Sequence, residues 1–376
     1  MGTIRLRNRF VVFLTIFQTV LFLVHGFLFA TWNYFWYSGA SGALTHTPLL
    51  AAIAILSVSF LITSLLGFQF THPLLRFFYR ISAVWLGFVN YAFFSALLCW
   101  IVYLASRLAG VTINRREFAI VFLALAALVT AYGVINASWT RIRRIAVNLT
   151  GLPASWRGRT AVLVSDMHLG NYRTYGFVRR IVRMVSALNP DILFIAGDLY
   201  DGTPADLIDL AAPFHKLSPP LGKFFVEGNH EEFTGPSKYL KAVTAAGIRV
   251  LNNEKQIIDG LQIVGVTYWD ASHTERFRKT LRDTGLDPTQ PSILLTHAPD
   301  RLQVSAEEGI SLQLSGHTHG GQFWPWSLAA RRMYGKYVYG LQKLGALQVY
   351  TSYGAGTWGP PLRVGTHAEI VVIRFE

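Results

Sequence analysis

The stretch Ser315-Gly316-His317-Thr318-His319-Gly320-Gly321-Gln322 sets two histidines two residues apart among glycines. At a strand end, side chains at i and i+2 point the same way, so both imidazoles can aim at one point. The glycines let the backbone bend sharply and come close to a ligand that a β-carbon would obstruct. A metal ion suits such a point. A solvated polar loop can look the same over eight residues, so the rest of the chain has to decide between them.

Upstream, apolar runs end again and again in ligand-type residues. Thr160 to Ser165 reads as a buried strand and runs into Asp166-Met167-His168. Tyr175 to Leu188 has helical spacing and stops at Asn189-Pro190. Ile192 to Ala196 is a second strand, ending at Gly197-Asp198 with Asp201 just beyond. Strand, helix, strand with acids at both strand ends predicts an α/β unit whose ligands gather at the carboxyl ends of its strands. Lys223 to Val226 then leads into Glu227-Gly228-Asn229-His230-Glu231, with a helix from about Ser237 to Ala246. Gln262 to Thr267 reads as a strand, and so does Ser292 to Leu295, which ends at Thr296-His297. Leu312 to Leu314 enters the octapeptide. Five strands thus finish at groups able to hold a divalent ion.

Carboxylate, neutral imidazole and amide oxygen together suit divalent ions that favour oxygen and nitrogen. Two such ions about 3.5 to 4 Å apart can clamp the attacking and leaving oxygens of a phosphoryl group. A carboxylate must bridge like charges held that close, and Asp198 is best placed for it. Water on such ions ionises near neutral pH and gives a metal-bound hydroxide as nucleophile. His230, beside the amide of Asn229, is the candidate acid for the leaving group.

Asp166-Met167-His168, Gly197-Asp198-Leu199-Tyr200-Asp201, Gly228-Asn229-His230-Glu231, Thr296-His297 and Gly316-His317-Thr318-His319 together resemble the successive blocks of the calcineurin-like metallophosphoesterases. The resemblance covers about Ala161 to Glu376. Lys336-Tyr337-Val338-Tyr339-Gly340-Leu341, Gly354-Ala355-Gly356-Thr357-Trp358 and Pro361-Leu362-Arg363 are similar to a bacterial, membrane-associated branch. The resemblance implies that Asp166, His168 and His319 hold one metal, that Asn229, His297 and His317 hold a second, and that Asp198 bridges them. It implies that His230 stabilises the transition state and protonates the leaving group without binding metal, and that Asp201 supports His230 or its loop. Manganese, iron, zinc and magnesium all remain open as the two divalent ions. The implied fold is an α/β (α+β) four-layer sandwich, two mixed β-sheets packed face to face with helices outside.

The first part of the chain is different in kind. Phe10 to Thr31, Leu49 to Phe70, Ile81 to Ala105 and Phe118 to Trp139 are each long and apolar enough to cross a bilayer, for which roughly 20 residues suffice. The first is too long for a cleaved signal peptide and has no clear small-residue cleavage site. Before Gly151 there are eleven Lys and Arg against the single acid Glu117, leaving +10; the remainder has twenty-three against twenty, leaving +3. Basicity concentrated among apolar runs points to membrane anchoring and away from nucleic acid. The expected division is 1–150, a transmembrane region with four helices, and 151–376, the metallophosphoesterase domain. Cys99 is the only cysteine, which excludes an intrachain disulfide, a cysteine zinc site and a paired-cysteine redox motif.

Threading four helices puts Arg5, Arg7, Arg9, Arg76, Arg80, Arg141, Arg143 and Arg144 on one side and leaves Arg107, Arg115 and Arg116 opposite. The positive-inside rule then predicts a multi-pass inner or plasma membrane protein with both termini and the catalytic domain in the cytoplasm. Tyr34, Phe35, Trp36 and Tyr37 read as an outer aromatic belt. Gln18, His25 and Asn90 read as hydrogen-bonding links between helices, since no acid lies in any span to relay a proton. His215, His273 and His367 fall outside every block and read as surface or loop histidines. Phe323 to Trp326, with Arg331 and Arg332 behind, fits either a lipid-interface finger or a packed loop.

The expected function is a membrane-anchored binuclear-metal phosphoesterase cleaving a phosphoester or pyrophosphate. A membrane tether favours a lipid-linked substrate through effective concentration, and UDP-diacylglucosamine hydrolysis by relatives is the analogy. The bilayer and a phosphorylated substrate are the expected partners. The competing expectation is a membrane sensor or transport module regulated by its phosphoesterase domain.

Overall fold

The computed structural model describes residues 2–36, 47–233 and 235–376, so Tyr37 and most of the first loop lie outside the described residues. The chain divides into two compact units, Met1–Val134 with Gly359–Pro361, and Ile135–Trp358 with Leu362–Glu376.

α1 (Gly2–Trp36), α2 (Thr47–Gly67), α3 (Pro73–Leu108) and α4 (Arg115–Ser138), the last running on past the end of the first unit, correspond to the four apolar runs; α1 and α3 extend beyond theirs at both ends, whereas α2 and α4 start a little earlier and stop a little sooner. All four are long and apolar enough to cross a membrane. Arg76 and Arg80, expected in a loop, lie in the opening turns of α3. There Pro73 occupies the first turn, which tolerates its missing N–H, and the His72 side chain accepts from Leu74 N at 3.3 Å. Polar side chains link the helices, because a polar group facing hydrocarbon is costly unless bonded. Gln18 Nε2 donates to Ser57 O at 3.0 Å, and Trp100 Nε1 donates to Thr31 Oγ1 at 3.0 Å. Trp85 Nε1 donates to His25 Nε2 at 3.0 Å, which leaves the His25 proton on Nδ1 to donate to Leu21 O at 2.8 Å. Arg116 Nε donates to Trp36 O at 2.9 Å, so the start of α4 lies beside the end of α1, as up-and-down threading requires.

The second unit contains two six-stranded mixed sheets. The first runs in the order β1 (Thr140–Val147), β12 (Ala368–Phe375), β2 (Thr160–Val164), β3 (Ile192–Ala196), β4 (Lys223–Val226), β5 (Arg249–Val250). The second runs β10 (Gly340–Leu344), β11 (Leu347–Thr351), β9 (Leu312–Ser315), β8 (Ser292–Leu295), β7 (Leu261–Gly265), β6 (Glu254–Ile258). Residues alternate across each strand. Leu163, Phe194 and Val226 face Ile293, Leu312 and Tyr350 in a core between the sheets. Val162, Val164, Leu193 and Ile195 point the other way, onto Val178, Ile181 and Val185 of the helix Tyr175–Ser186. Val264, Leu294 and Val349 likewise meet Phe277 and Leu281 on the outer face of the second sheet. Each such side chain buried contributes about 1.5–3 kcal/mol, and burial on both faces explains why these strands are almost wholly apolar. The result is the expected four-layer sandwich.

One boundary differs from expectation. The division falls between Val134 and Ile135, not at 150/151, because β1 pairs in parallel with β12 along eight residues. Arg141, Arg143 and Arg144 therefore lie on an edge strand of the second unit, where exposed charges discourage further strand pairing.

Candidate metal centre

Parallel pairing of β2, β3 and β4, and of β8 with β9, points the carboxyl ends of these strands in one direction within each sheet. The segments leaving them bring Asp166, His168 and His319 together in one group and Asp198, His297 and His317 in another. In the first, His168 Nε2 and His319 Nε2 are 3.0 Å apart, and His319 Nε2 is 3.5 Å from Asp166 Oδ1. In the second, His317 Nδ1 is 3.1 Å from His297 Nε2, which is 3.2 Å from Asp198 Oδ2. Asp198 Oδ2 also lies 3.8 Å from His168 Nε2, so one carboxylate oxygen reaches both groups.

The backbone is held in unusual conformations to achieve this. Asp166, His168, Asp198, His317 and His319 all have positive φ, between 47° and 69°. Each such non-glycine residue costs about 1–3 kcal/mol, and clusters of them mark functional sites. Two glycines let the backbone come close to the carboxylates of the groups. A β-carbon on Gly228 would sit 2.2 Å from Asp198 Oδ1, and one on Gly316 would sit 2.2 Å from Asp166 Oδ2.

These residues fit divalent metal. The Asn229 Oδ1 atom is buried and has no hydrogen-bond partner among the described residues. An orphaned amide oxygen is costly unless something else satisfies it, and a hard cation does so. Burial, reinforced by neighbouring rings, holds His168 and His319 well below the ordinary imidazole range, and burial with His297 pushes His317 down to about 3. The neutral ring is the form that ligates. Burial opposes ionisation of Asp198, yet His297 and His230 hold its carboxyl well below the usual range. Burial also disfavours a charged His297, but Asp198 and Asp166 outweigh it and push that ring up to about 10. His297 Nδ1 is 2.8 Å from Ala196 O, so Nδ1 carries a proton and Nε2 faces the group.

His230 stands beside this arrangement. Its Nε2 is 4.0 Å from Asp198 Oδ2, and its ring packs edge-on to His168 at 4.8 Å between centroids. It also forms a third possible ligand group with His168 and Asp198. The expected support from Asp201 comes from the backbone. The Asp201 carbonyl accepts from His230, while its carboxylate accepts from Asn171 N at 3.1 Å and Thr203 N at 2.8 Å.

Two residues carry structural work that sequence reasoning did not assign. The fully buried Glu231 carboxylate accepts from Asp198 N at 3.0 Å, Gly228 N at 2.8 Å and Tyr200 N at 2.9 Å, tying together the segments after β3 and β4. The only signal was its place in the Gly-Asn-His-Glu block. Arg363, also fully buried, donates to Tyr353 O at 2.5 Å, Gly356 O at 2.8 Å and His319 O at 3.3 Å, pinning the octapeptide to the turn after β11.

A two-sheet sandwich with clustered Asp, His and Asn at its strand ends defines the metallophosphoesterase class. Residues 160–321 match the calcineurin-like phosphoesterase family. An uncharacterized metallophosphoesterase of Aquifex aeolicus is 33% identical over 257 residues, spanning 67% of this chain and 98% of that protein. One from Helicobacter pylori is 35% identical over 219 residues, and a Danio rerio transmembrane protein with metallophosphoesterase domain is 32% identical over 288. These last two matches span 57% and 71% of this chain but only 59% and 65% of the relatives' own lengths. The chain belongs to the calcineurin-like metallophosphoesterases, and its four membrane-capable helices make it a membrane protein.

Proposed function

We propose that the protein is a membrane-anchored phosphoesterase that cleaves a phosphoester or pyrophosphate bond, on the cytoplasmic face, in a lipid-linked substrate of the UDP-diacylglucosamine kind. The observation that carries the hydrolytic reading is Asp198 Oδ2, within 3.2 Å of His297 Nε2 and 3.8 Å of His168 Nε2, since a carboxylate shared by two imidazole groups is what a pair of divalent ions needs. In this reading Asp166, His168 and His319 hold one ion, Asn229, His297 and His317 hold the other, and Asp198 bridges. Such ions, when bound, neutralise phosphoryl oxygens and acidify a water. The chain's own residues do the rest. As the acid, His230 donates Nδ1–H to the Asp201 carbonyl and carries a second proton on Nε2, which passes to the departing oxygen and is restored from solvent. Tyr268 and Tyr334, whose rings lie 5.4 Å and 6.3 Å from that of His317, limit water on one side.

The lipid-linked assignment rests on the four apolar helices and on effective concentration. The cytoplasmic assignment rests on the arginines that remain at the helix ends, Arg5, Arg7, Arg9, Arg76 and Arg80 on one side against Arg107, Arg115 and Arg116 on the other. The test is the full chain in mixed micelles, loaded in turn with Mn, Fe, Zn and Mg, against aryl phosphates, nucleotide diesters and lipid pyrophosphates. The lipid pyrophosphate should show the highest kcat/KM. A water-soluble ester turned over faster would remove the lipid assignment, and no turnover of any of them would remove the hydrolytic one.

A further inference from the structure

From residue 309 to residue 368 the chain has no Asp or Glu, sixty residues in a domain otherwise well supplied with acids. Within that stretch lies the helix Trp326–Tyr334, Trp-Ser-Leu-Ala-Ala-Arg-Arg-Met-Tyr, which buries none of its residues. Its apolar side chains are conspicuously open, with Trp326 57%, Leu328 58% and Met333 74% exposed, and Trp324 just before it is 42% exposed. Isolated exposed apolar residues are ordinary, whereas a group of large ones on one element calls for an occupant. At about 100° per residue, Leu328, Arg332, Ala329, Met333 and Trp326 fall in that order on one outward arc, and Ser327, Ala330 and Tyr334 turn inward. Arg331, Arg332 and Lys336 are exposed, and none of them forms an ion pair among the described residues.

We propose that the outward arc of Trp326–Tyr334, together with Trp324, is a docking surface for an anionic lipid bilayer. Tryptophan prefers the membrane interface, aliphatic side chains enter the acyl boundary, and arginines beside them meet lipid phosphates. A protein partner would need acids of its own to match the acid-free stretch, whereas anionic lipid supplies negative charge continuously. A bilayer is also always at hand, because the same chain contains four membrane-capable helices. The helix ends at the metal centre, where the Tyr334 ring lies 6.3 Å from that of His317, so docking brings the mouth of the site to the lipid surface.

The experiment uses the full chain in nanodiscs with Cys99→Ala to remove the single native thiol. An environment-sensitive fluorophore is attached through Leu328→Cys or Met333→Cys, with Lys241→Cys on the helix layer of the first sheet as the control. In phosphatidylcholine–phosphatidylglycerol discs containing spin-labelled quencher lipid, both helix labels should shift to the blue and lose about half or more of their emission, and the control should not. Each basic residue near an anionic surface is worth about fivefold in partitioning, so Arg331→Glu with Arg332→Glu should reduce quenching to the level in phosphatidylcholine alone. Helix labels left bright, or quenched no more than the control, overturn the proposal. A blue shift without lipid quenching assigns the face to a second copy or another protein and overturns it equally.

Discussion

His230 Nδ1 lies 2.9 Å from the carbonyl oxygen of Asp201. A carbonyl only accepts, so Nδ1 carries a proton and the ring presents Nε2 to the metal centre. If His230 serves the leaving group and not a metal, His230→Ala should keep metal content near wild type while turnover falls by about two to four orders of magnitude. The loss should grow with leaving-group pKa, because a good phenolate needs little protonation and an alkoxide needs it fully. Equal slopes of rate against leaving-group pKa in the two proteins would remove the acid role. Lost metal would make His230 a ligand.

Asp198 poses the opposite case. If Asp198 is shared by two ions, Asp198→Ala should abolish activity and remove about half or more of the bound metal, because two like charges would lose the carboxylate between them. Elemental analysis decides this directly, since two tightly held ions in the variant would put the bridge elsewhere.

What could be read before folding, and what could not, follows from the range of the interactions. Asp166, Asp198, His297 and the His317–His319 pair announce themselves because each follows a short apolar strand, a pattern contained within about ten residues. β1 was invisible because Arg141, Arg143 and Arg144 looked like a membrane flank, and only its pairing with β12, more than two hundred residues on, makes it a strand. The tasks of Glu231 and Arg363 were illegible for the same reason. A carboxylate serving Asp198 N and Tyr200 N, or a guanidinium collecting carbonyls from Tyr353 and Gly356, is defined by partners that the fold supplies. The Trp-rich segment stayed ambiguous because exposure, which separates a finger from a packed loop, is not a property of sequence.

Glu231 gives a prediction that separates positioning from ligation. Its two oxygens accept from three backbone N–H groups, and a glutamine has only one oxygen to offer. Glu231→Gln turns an amide N–H toward backbone donors and loosens Asp198 and the turn carrying Asn229. Metal affinity should weaken about 10- to 100-fold, the usual effect of losing a group that orients ligands. Competition against a calibrated chelator measures it, and unchanged affinity would confine Glu231 to holding the fold.

Metal uptake should also release protons, and the sign follows from His297. Burial lowers this ring's affinity for a proton, but Asp198 and Asp166 more than compensate and push it up to about 10. In chelated protein near neutral pH it is therefore charged. A ligating His297 must be neutral at Nε2, with its remaining proton on Nδ1 facing Ala196 O. The metal-loaded protein thus binds fewer protons than the chelated one, and apparent affinity must rise with pH, by about tenfold per unit where one proton is released. As pH falls through about 6, Asp166, whose carboxyl burial pushes up to about 6, takes a further proton and the dependence steepens. Calorimetric titration with Mn²⁺ at about pH 7.5 in two buffers of different ionisation enthalpy counts the released protons. About one per chain is expected from His297. A count near zero would show that His297 is neutral before the metal arrives or never binds it, and His297→Ala, which should then keep full metal content only in the second case, tells the two apart.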